Sequence, residues 1–99
     1  MPDEFKVVYP KNVQISVSEI YNRGRKVGME TEVINAARLI DEQLRSQPRE
    51  FGDPSGTLAN MQLDTFSRAV TPLMVYFSVH QTKRIVFVSK IIVFPSAGL

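Results

Sequence analysis

The chain contains no cysteine. That excludes a disulfide framework, a thiolate metal site and a cysteine nucleophile, and it makes a reducing cytoplasm the expected address. It has one histidine, His80, so a Ser-His-Asp arrangement would have to use that residue. The longest apolar runs, at 73–77 and 85–88, fall far short of the roughly 20 residues that cross a bilayer. No membrane association is expected. The opening residues Met1-Pro2-Asp3-Glu4 are acidic where a secretion signal is basic. Carboxylates run out early: Asp64 is the last one. Residues 1–64 carry 8 basic and 10 acidic side chains, whereas residues 65–99 carry Arg68, Lys83, Arg84 and Lys90 and no acid. The net charge of +2 therefore hides a one-signed second half, which creates a field attractive to polyanions or acidic partners.

What is present fits one domain over residues 1–99. At 43% hydrophobic and 22% charged, the composition is that of an ordinary globular protein. A chain of this length has one core and cannot be divided into two. Residues 5–9 predict a short strand stopped by Pro10. Asn12 is placed to cap a helix, and Val13, Val17 and Ile20, with Tyr21 beside them, form its apolar stripe. Arg23-Gly24-Arg25-Lys26-Val27-Gly28 contains two glycines and reads as a turn. Residues 30–47 predict a second helix, with Val33, Ala36, Ala37, Ile40 and Leu44 on one side. Together these make an αα-hairpin. Residues 47–56 hold two prolines and two glycines and read as a loop, and 58–63 fits either a short strand or a turn.

From Thr65 onward the pattern is β. Strands are expected at 66–70, 73–80 and 84–94, with a tight turn at Thr71-Pro72, a polar connection at 81–83 and a tail at 95–99. Short connections make this a three-stranded antiparallel meander. The fold class is thus α+β: a short N-terminal strand, an αα-hairpin, then the meander. Alternation puts Leu73, Val75, Phe77 and Val79 on one face. In the last strand it groups Ile85, Phe87, Ser89, Ile91 and Val93. One sheet face is apolar enough to pack on the helices. The other mixes Tyr76, His80, Arg68 and Lys90 among apolar neighbours.

The residues offer little classical catalytic machinery. No metal site is expected, because the acid-free sheet cannot complete a ligand set, and no cofactor is implied. The glycines of 23–28 have the wrong spacing for a phosphate-cradling loop, although Arg23, Arg25 and Lys26 could contact phosphates. Glu50 and Asp53 flank Phe51-Gly52 and read as turn formers. Phe77 and Phe87 are expected in the core, and Tyr76 on the mixed face, where it could stack on a base.

The segment Phe66-Ser67-Arg68-Ala69-Val70-Thr71-Pro72-Leu73-Met74-Val75-Tyr76-Phe77-Ser78-Val79, followed by Arg84-Ile85-Val86-Phe87-Val88, resembles the sheet half of the RelE/ParE toxin superfamily. The order of elements over the whole chain is similar as well. The resemblance implies a small bacterial toxin of a type II toxin–antitoxin system, neutralised by an antitoxin protein. RelE-branch members cleave mRNA on the ribosome, and ParE-branch members inhibit DNA gyrase. Under the resemblance, an mRNA endoribonuclease would draw on Arg68, Lys90 and His80 as candidate catalytic side chains. Nucleic acid would be held by Arg23, Arg25, Lys26, Arg68, Lys83, Arg84 and Lys90. The chain departs from the family pattern at three points. Met74 stands where an arginine is usual, the apolar run Ile91-Ile92-Val93-Phe94 replaces a basic one, and no tyrosine follows Tyr76. That apolar run implies a covered surface, either a homodimer contact or an antitoxin contact. The alternative to a toxin is a catalytically silent relative of the fold, acting as a protein-interaction or nucleic-acid-binding module.

Overall fold

The computed structural model describes residues 4–94; the expected tail at 95–99 lies outside them. The chain folds as α+β. Strand β1 is Lys6–Val8, helix α1 Lys11–Lys26, helix α2 Glu30–Ser46 and the one-turn helix α3 Pro48–Phe51. Strand β2 is Asp53–Leu58, β3 Leu63–Val70, β4 Leu73–His80 and β5 Ile85–Val93, with a 3-10 turn at Ala59–Met61. All five strands form one sheet in the order β1-β5-β4-β3-β2. β3, β4 and β5 are the expected meander. β1 lies parallel to β5 through Lys6↔Ile85, Val7↔Val86 and Val8↔Phe87, so the first and last strands of the chain are neighbours.

Local chemistry explains the helices, with two corrections to the sequence reading. The N-cap of α1 is Pro10, not Asn12. The Pro10 carbonyl accepts from the amides of Val13 and Gln14, while Asn12 sits inside the first turn, its carbonyl accepting from the Ser16 hydroxyl. The turn at 23–28 shrinks to Val27-Gly28, because α1 runs on through Gly24. Gly24 is buried, and a Cβ there would lie 3.0 Å from Val33 Cγ2, so this glycine permits close helix contact rather than chain reversal. The reversal belongs to Gly28, whose φ is +74°. The amide of Gly28 donates to the Arg25 carbonyl and that of Met29 to the Gly24 carbonyl, a Schellman ending. In α2, Val33, Ala36, Ile40 and Leu44 are buried as their spacing predicts.

The expected loop at 47–56 is structured. Pro48 starts α3, where its missing amide proton is not needed. The backbone then enters β2, which pairs antiparallel with β3. Every residue of β2 is exposed, and a register irregularity lies between Pro54 and Gly56. An edge strand tolerates proline because one row of its amides meets solvent. The 58–63 segment divides between the end of β2, the 3-10 turn and the start of β3, with Gln62 at φ 56°. Glu50 and Asp53 accordingly sit in α3 and at the start of β2.

All three helices contribute to one core, which takes in Val13, Ile20, Val33, Ile40, Leu44 and Phe51 with Phe66, Leu73, Val75, Phe77, Val79, Val86, Val88 and Ile91. The helices therefore cover a single sheet face. Phe51, Phe77 and Phe66 stack in sequence, with ring centroids 6.2 and 5.4 Å apart. In β5 the strict alternation fails. Tyr76 pairs with Lys90 but Phe77 pairs with Val88, a bulge at Ser89. Val86 and Val88 face the core before the bulge, and Ile91 and Val93 after it. Phe87 falls on the opposite face and is 38% exposed, which corrects its expected core position. A bulge shifts the phase of a strand by one residue.

Candidate functional site

Part of the sequence-predicted chemistry lies on the sheet face that no helix covers and on the hairpin turn at its end. Cross-strand partners share a face, so the register assigns the uncovered face directly. It presents Lys6 and Val8 from β1, Ile85, Phe87, Lys90 and Ile92 from β5, and Met74, Tyr76, Ser78 and His80 from β4. β3 adds Leu63, Thr65, Ser67 and Ala69, and β2 adds Asp53 and Leu58 at the far edge. Asp53 is the sole carboxylate of the described residues on this face, and it lies on the edge opposite Lys6.

The bulge organises the centre of the face. Ser89 Oγ donates to the Tyr76 carbonyl at 3.0 Å, holding the extra residue. Lys90 Nζ then lies 5.4 Å from the Tyr76 ring centroid, and the Tyr76 hydroxyl points to Met74 Sδ at 3.7 Å. A cation, a half-buried phenol and the exposed Phe87 ring thus share adjoining strands. Aromatic faces of this kind accept stacked bases, and flanking cations meet phosphates.

Arg68 is not part of that face. It pairs across β3–β4 with Val75, which is fully buried in the core, so Arg68 emerges on the helix side. Its guanidinium lies 5.4 Å over the Phe51 ring and borders a groove with Leu39, Gln43, Gln47 and Glu50. The mixed face inferred from alternation alone therefore loses Arg68 and keeps Tyr76, His80 and Lys90. The remaining basic residues are dispersed. Arg23, Arg25 and Lys26 occupy the last turn of α1, where positive charge complements the helix dipole. Arg25 and Lys26 border a shallow depression with Asn22, and Arg23 borders a groove beside Ile91, Ile92 and Val93. The apolar end of β5 is thus partly covered by α1 of the same chain, with Ile91 buried. Lys83 and Arg84 lie at the β4–β5 turn, with the Arg84 guanidinium 5.3 Å over the Phe5 ring.

His80, at the end of β4, is half-buried. Its Nδ1 accepts from the backbone amides of Thr82 at 3.2 Å and Lys83 at 3.1 Å. Beside it, Asp64 is a structural junction: it accepts from Arg49 Nη1 at 2.8 Å, Thr57 Oγ1 at 3.1 Å and Gln81 Nε2 at 3.1 Å. These bonds, Arg49 foremost, hold its carboxyl below the usual carboxylate range.

One polar centre has no signal in the sequence, because its partners are 32 residues apart. The Tyr9 hydroxyl donates to Asp41 Oδ1 at 2.6 Å, and Arg45 Nε donates to Asp41 Oδ2 at 2.8 Å. Burial, and then Asp41, push the Tyr9 phenol well above its ordinary value. Burial alone would raise Asp41, but the bonds from Arg45 and Tyr9 outweigh it and leave the carboxyl lowered. Tyr9 and Asp41 border a cavity of about 350 Å³ between α1 and α2, walled by Val13, Val17, Ala37, Ile40 and Ile91.

Comparison with family models, curated proteins and solved structures finds no match to this chain. Among the described residues no helix is long and apolar enough to cross a membrane.

Proposed function

We propose that this protein is a RelE/ParE-like toxin-fold protein of a type II toxin–antitoxin system, and that it acts by binding through the uncovered sheet face, with ribosomal RNA or mRNA as target. The observation that carries the binding reading is the separation of the candidate catalytic groups. Arg68 and Lys90 lie on opposite faces of the sheet, and His80 Nδ1 is committed to two turn amides. One phosphodiester cannot meet Arg68 and Lys90 together. Lys90 over Tyr76, with Phe87 and Lys6 on the same face, supports contact with a single-stranded polyanion.

Exposed Phe87, with Ile92 and Met74, favours a second reading, a protein-interaction module with an acidic, partly apolar partner. Salt separates the two. RNA binding through Lys90 and Lys6 weakens steeply as salt rises, by about 0.7 log units per tenfold salt for each phosphate neutralised on a single strand. The test is tightly controlled expression in a bacterial host, following growth and bulk translation, with binding of single-stranded RNA measured at several salt concentrations. Growth arrest with translational collapse supports the ribosome-directed reading. Arrest with translation initially intact points to a gyrase-type target. Normal growth of cells holding folded protein, with no RNA binding, removes the toxin reading.

A further inference from the structure

The four residues Gln81, Thr82, Lys83 and Arg84 between β4 and β5 connect two strands that end at His80 and begin at Ile85. Gln81 N–H donates to the Gln62 carbonyl, and the next two amides use a side chain: Thr82 N–H and Lys83 N–H converge on His80 Nδ1. The Thr82 hydroxyl lies 3.4 Å from the same atom. An imidazole nitrogen accepts only while it carries no proton, so this geometry requires the neutral ring with its proton on Nε2. Asp and Asn side chains build turns in the same way, but those acceptors do not titrate near neutrality. We propose that His80 is a pH-controlled clasp on the β4–β5 turn: neutral, it orders the turn; protonated at Nδ1, it can no longer accept and the turn is released.

The surroundings isolate that event. Arg49, from α3, sends Nη2 toward the His80 carbonyl at 3.4 Å and pairs through Nη1 with Asp64 of β3. Lys83 is on the turn itself. Arg84 is on the same turn, its guanidinium over the Phe5 ring, and Arg49 meets the backbone of His80 rather than its ring. Asp64 accepts from three donors, which hold its carboxyl below the usual carboxylate range, so its own protonation does not disturb the turn. Two further bonds stay in place whatever the ring does: Gln81 N–H to the Gln62 carbonyl and Gln81 Nε2 to Asp64. The Arg84 carbonyl is held by the Lys6 amide, so release is confined to Thr82 and Lys83, with the meander and α3 undisturbed. The consequence for polyanion contact rests on the binding reading above, because His80, which holds the Lys83 amide, lies on the proposed contact face. The clasp itself does not depend on that reading.

The chain has a single histidine, so its NMR signals need no assignment by elimination. At pH 8, long-range proton–nitrogen spectra should show the Nε2–H tautomer. On titration to pH 5, the amide shifts of Thr82 and Lys83 should move with the same midpoint as the ring. Their protection, taken relative to the intrinsic exchange rate at each pH, should fall about tenfold, the protection given by one hydrogen bond of ordinary net strength. In His80→Asn, the amide oxygen replaces the acceptor without titrating, so both amides should stay protected from pH 8 to pH 5. A predominant Nδ1–H tautomer at pH 8 overturns the proposal, as do Thr82 and Lys83 amides that stay still while the ring titrates. RNA binding of wild type and His80→Asn, compared at pH 7.5 and 5.5, is read separately. A clasp that titrates in a protein that binds no RNA leaves the clasp standing and removes the function reading.

Discussion

Gly52 offers the sharpest test of the packing. It follows α3 and precedes β2, and it is buried against the aromatic stack. A Cβ built on it would lie 2.5 Å from Phe77 Cζ, 2.7 Å from Phe66 Cβ and 3.1 Å from Phe66 Cδ2. Its φ of −88° and ψ of 154° suit any residue, so the cost of Gly52→Ala is steric alone. Phe77 is enclosed between Phe51 and Phe66, and Phe66 Cβ is anchored directly to the β3 backbone; neither can swing aside. Overpacking a filled core costs about 1–3 kcal/mol, and two immobile contacts place this case near the upper end. About 3 kcal/mol is a large share of the 5–15 kcal/mol that stabilises a small domain and corresponds to a Tm loss of roughly 12–24 °C. Two glycine variants supply the scale in urea denaturation followed by circular dichroism. Gly28→Ala meets nothing within 4 Å but must keep φ at +74°, so it should cost about 1–2 kcal/mol. Gly56→Ala brings a methyl to an ordinary 3.5 Å from Thr65 Oγ1 on an exposed edge and should stay within about 0.5 kcal/mol of wild type. If Gly52→Ala is no more destabilising than Gly56→Ala, the stack is not packed as described.

Deleting Ser89 should remove the bulge and leave a regular strand, with Val88 and Ile91 still facing the core and Lys90 still facing out; stability should change by about 1 kcal/mol, and unfolding of the deletion variant would refute the register. Lys90→Glu should weaken single-stranded RNA binding and lower its salt slope by roughly one neutralised phosphate, whereas Arg68→Ala should leave binding unchanged and cost about 0.5–1 kcal/mol of stability as Phe51 loses its cation; equal effects of both on binding would contradict the two-face assignment. Tyr9→Phe should cost about 1.5–3 kcal/mol at pH 7, the net worth of a hydrogen bond to an ionised carboxylate. Asp41 has a lowered folded pKa, so its contribution is complete above the ordinary carboxylate value and is lost as pH falls through the folded one. The stability gap between wild type and Asp41→Asn should therefore narrow in acid, and a gap that widens below pH 4 would refute the sign.

The two helices and the meander were legible because their signals are local. Val33, Ala36, Ile40 and Leu44 repeat at helical spacing, and Leu73, Val75, Phe77 and Val79 alternate, so each stripe identifies its own buried side. The one-signed charge after Asp64 is equally plain in the chain. What the chain could not show are relations between segments. Residues 85–94 are apolar on both alternating sets, so either phase satisfies the pattern, and only pairing with β4 reveals the bulge that turns Phe87 outward and Ile91 inward. The prolines and glycines of 47–56 read as loop because local propensity does not know that an edge strand leaves one row of amides to solvent. Arg68 and Lys90 look equivalent as cations on the strands that flank β4; the register of β3 against β4, together with the extra residue in β5, sends them to opposite faces. Tyr9 and Asp41 meet only because the αα-hairpin returns α2 to the end of β1. His80 becomes a turn acceptor through three-dimensional convergence of two amides, which no spacing rule encodes. Sequence alone determined which segments are helix or strand and where the charge lies. The tertiary structure decided which side chains share a face, because facing is set by register, and register is a property of paired strands rather than of either one.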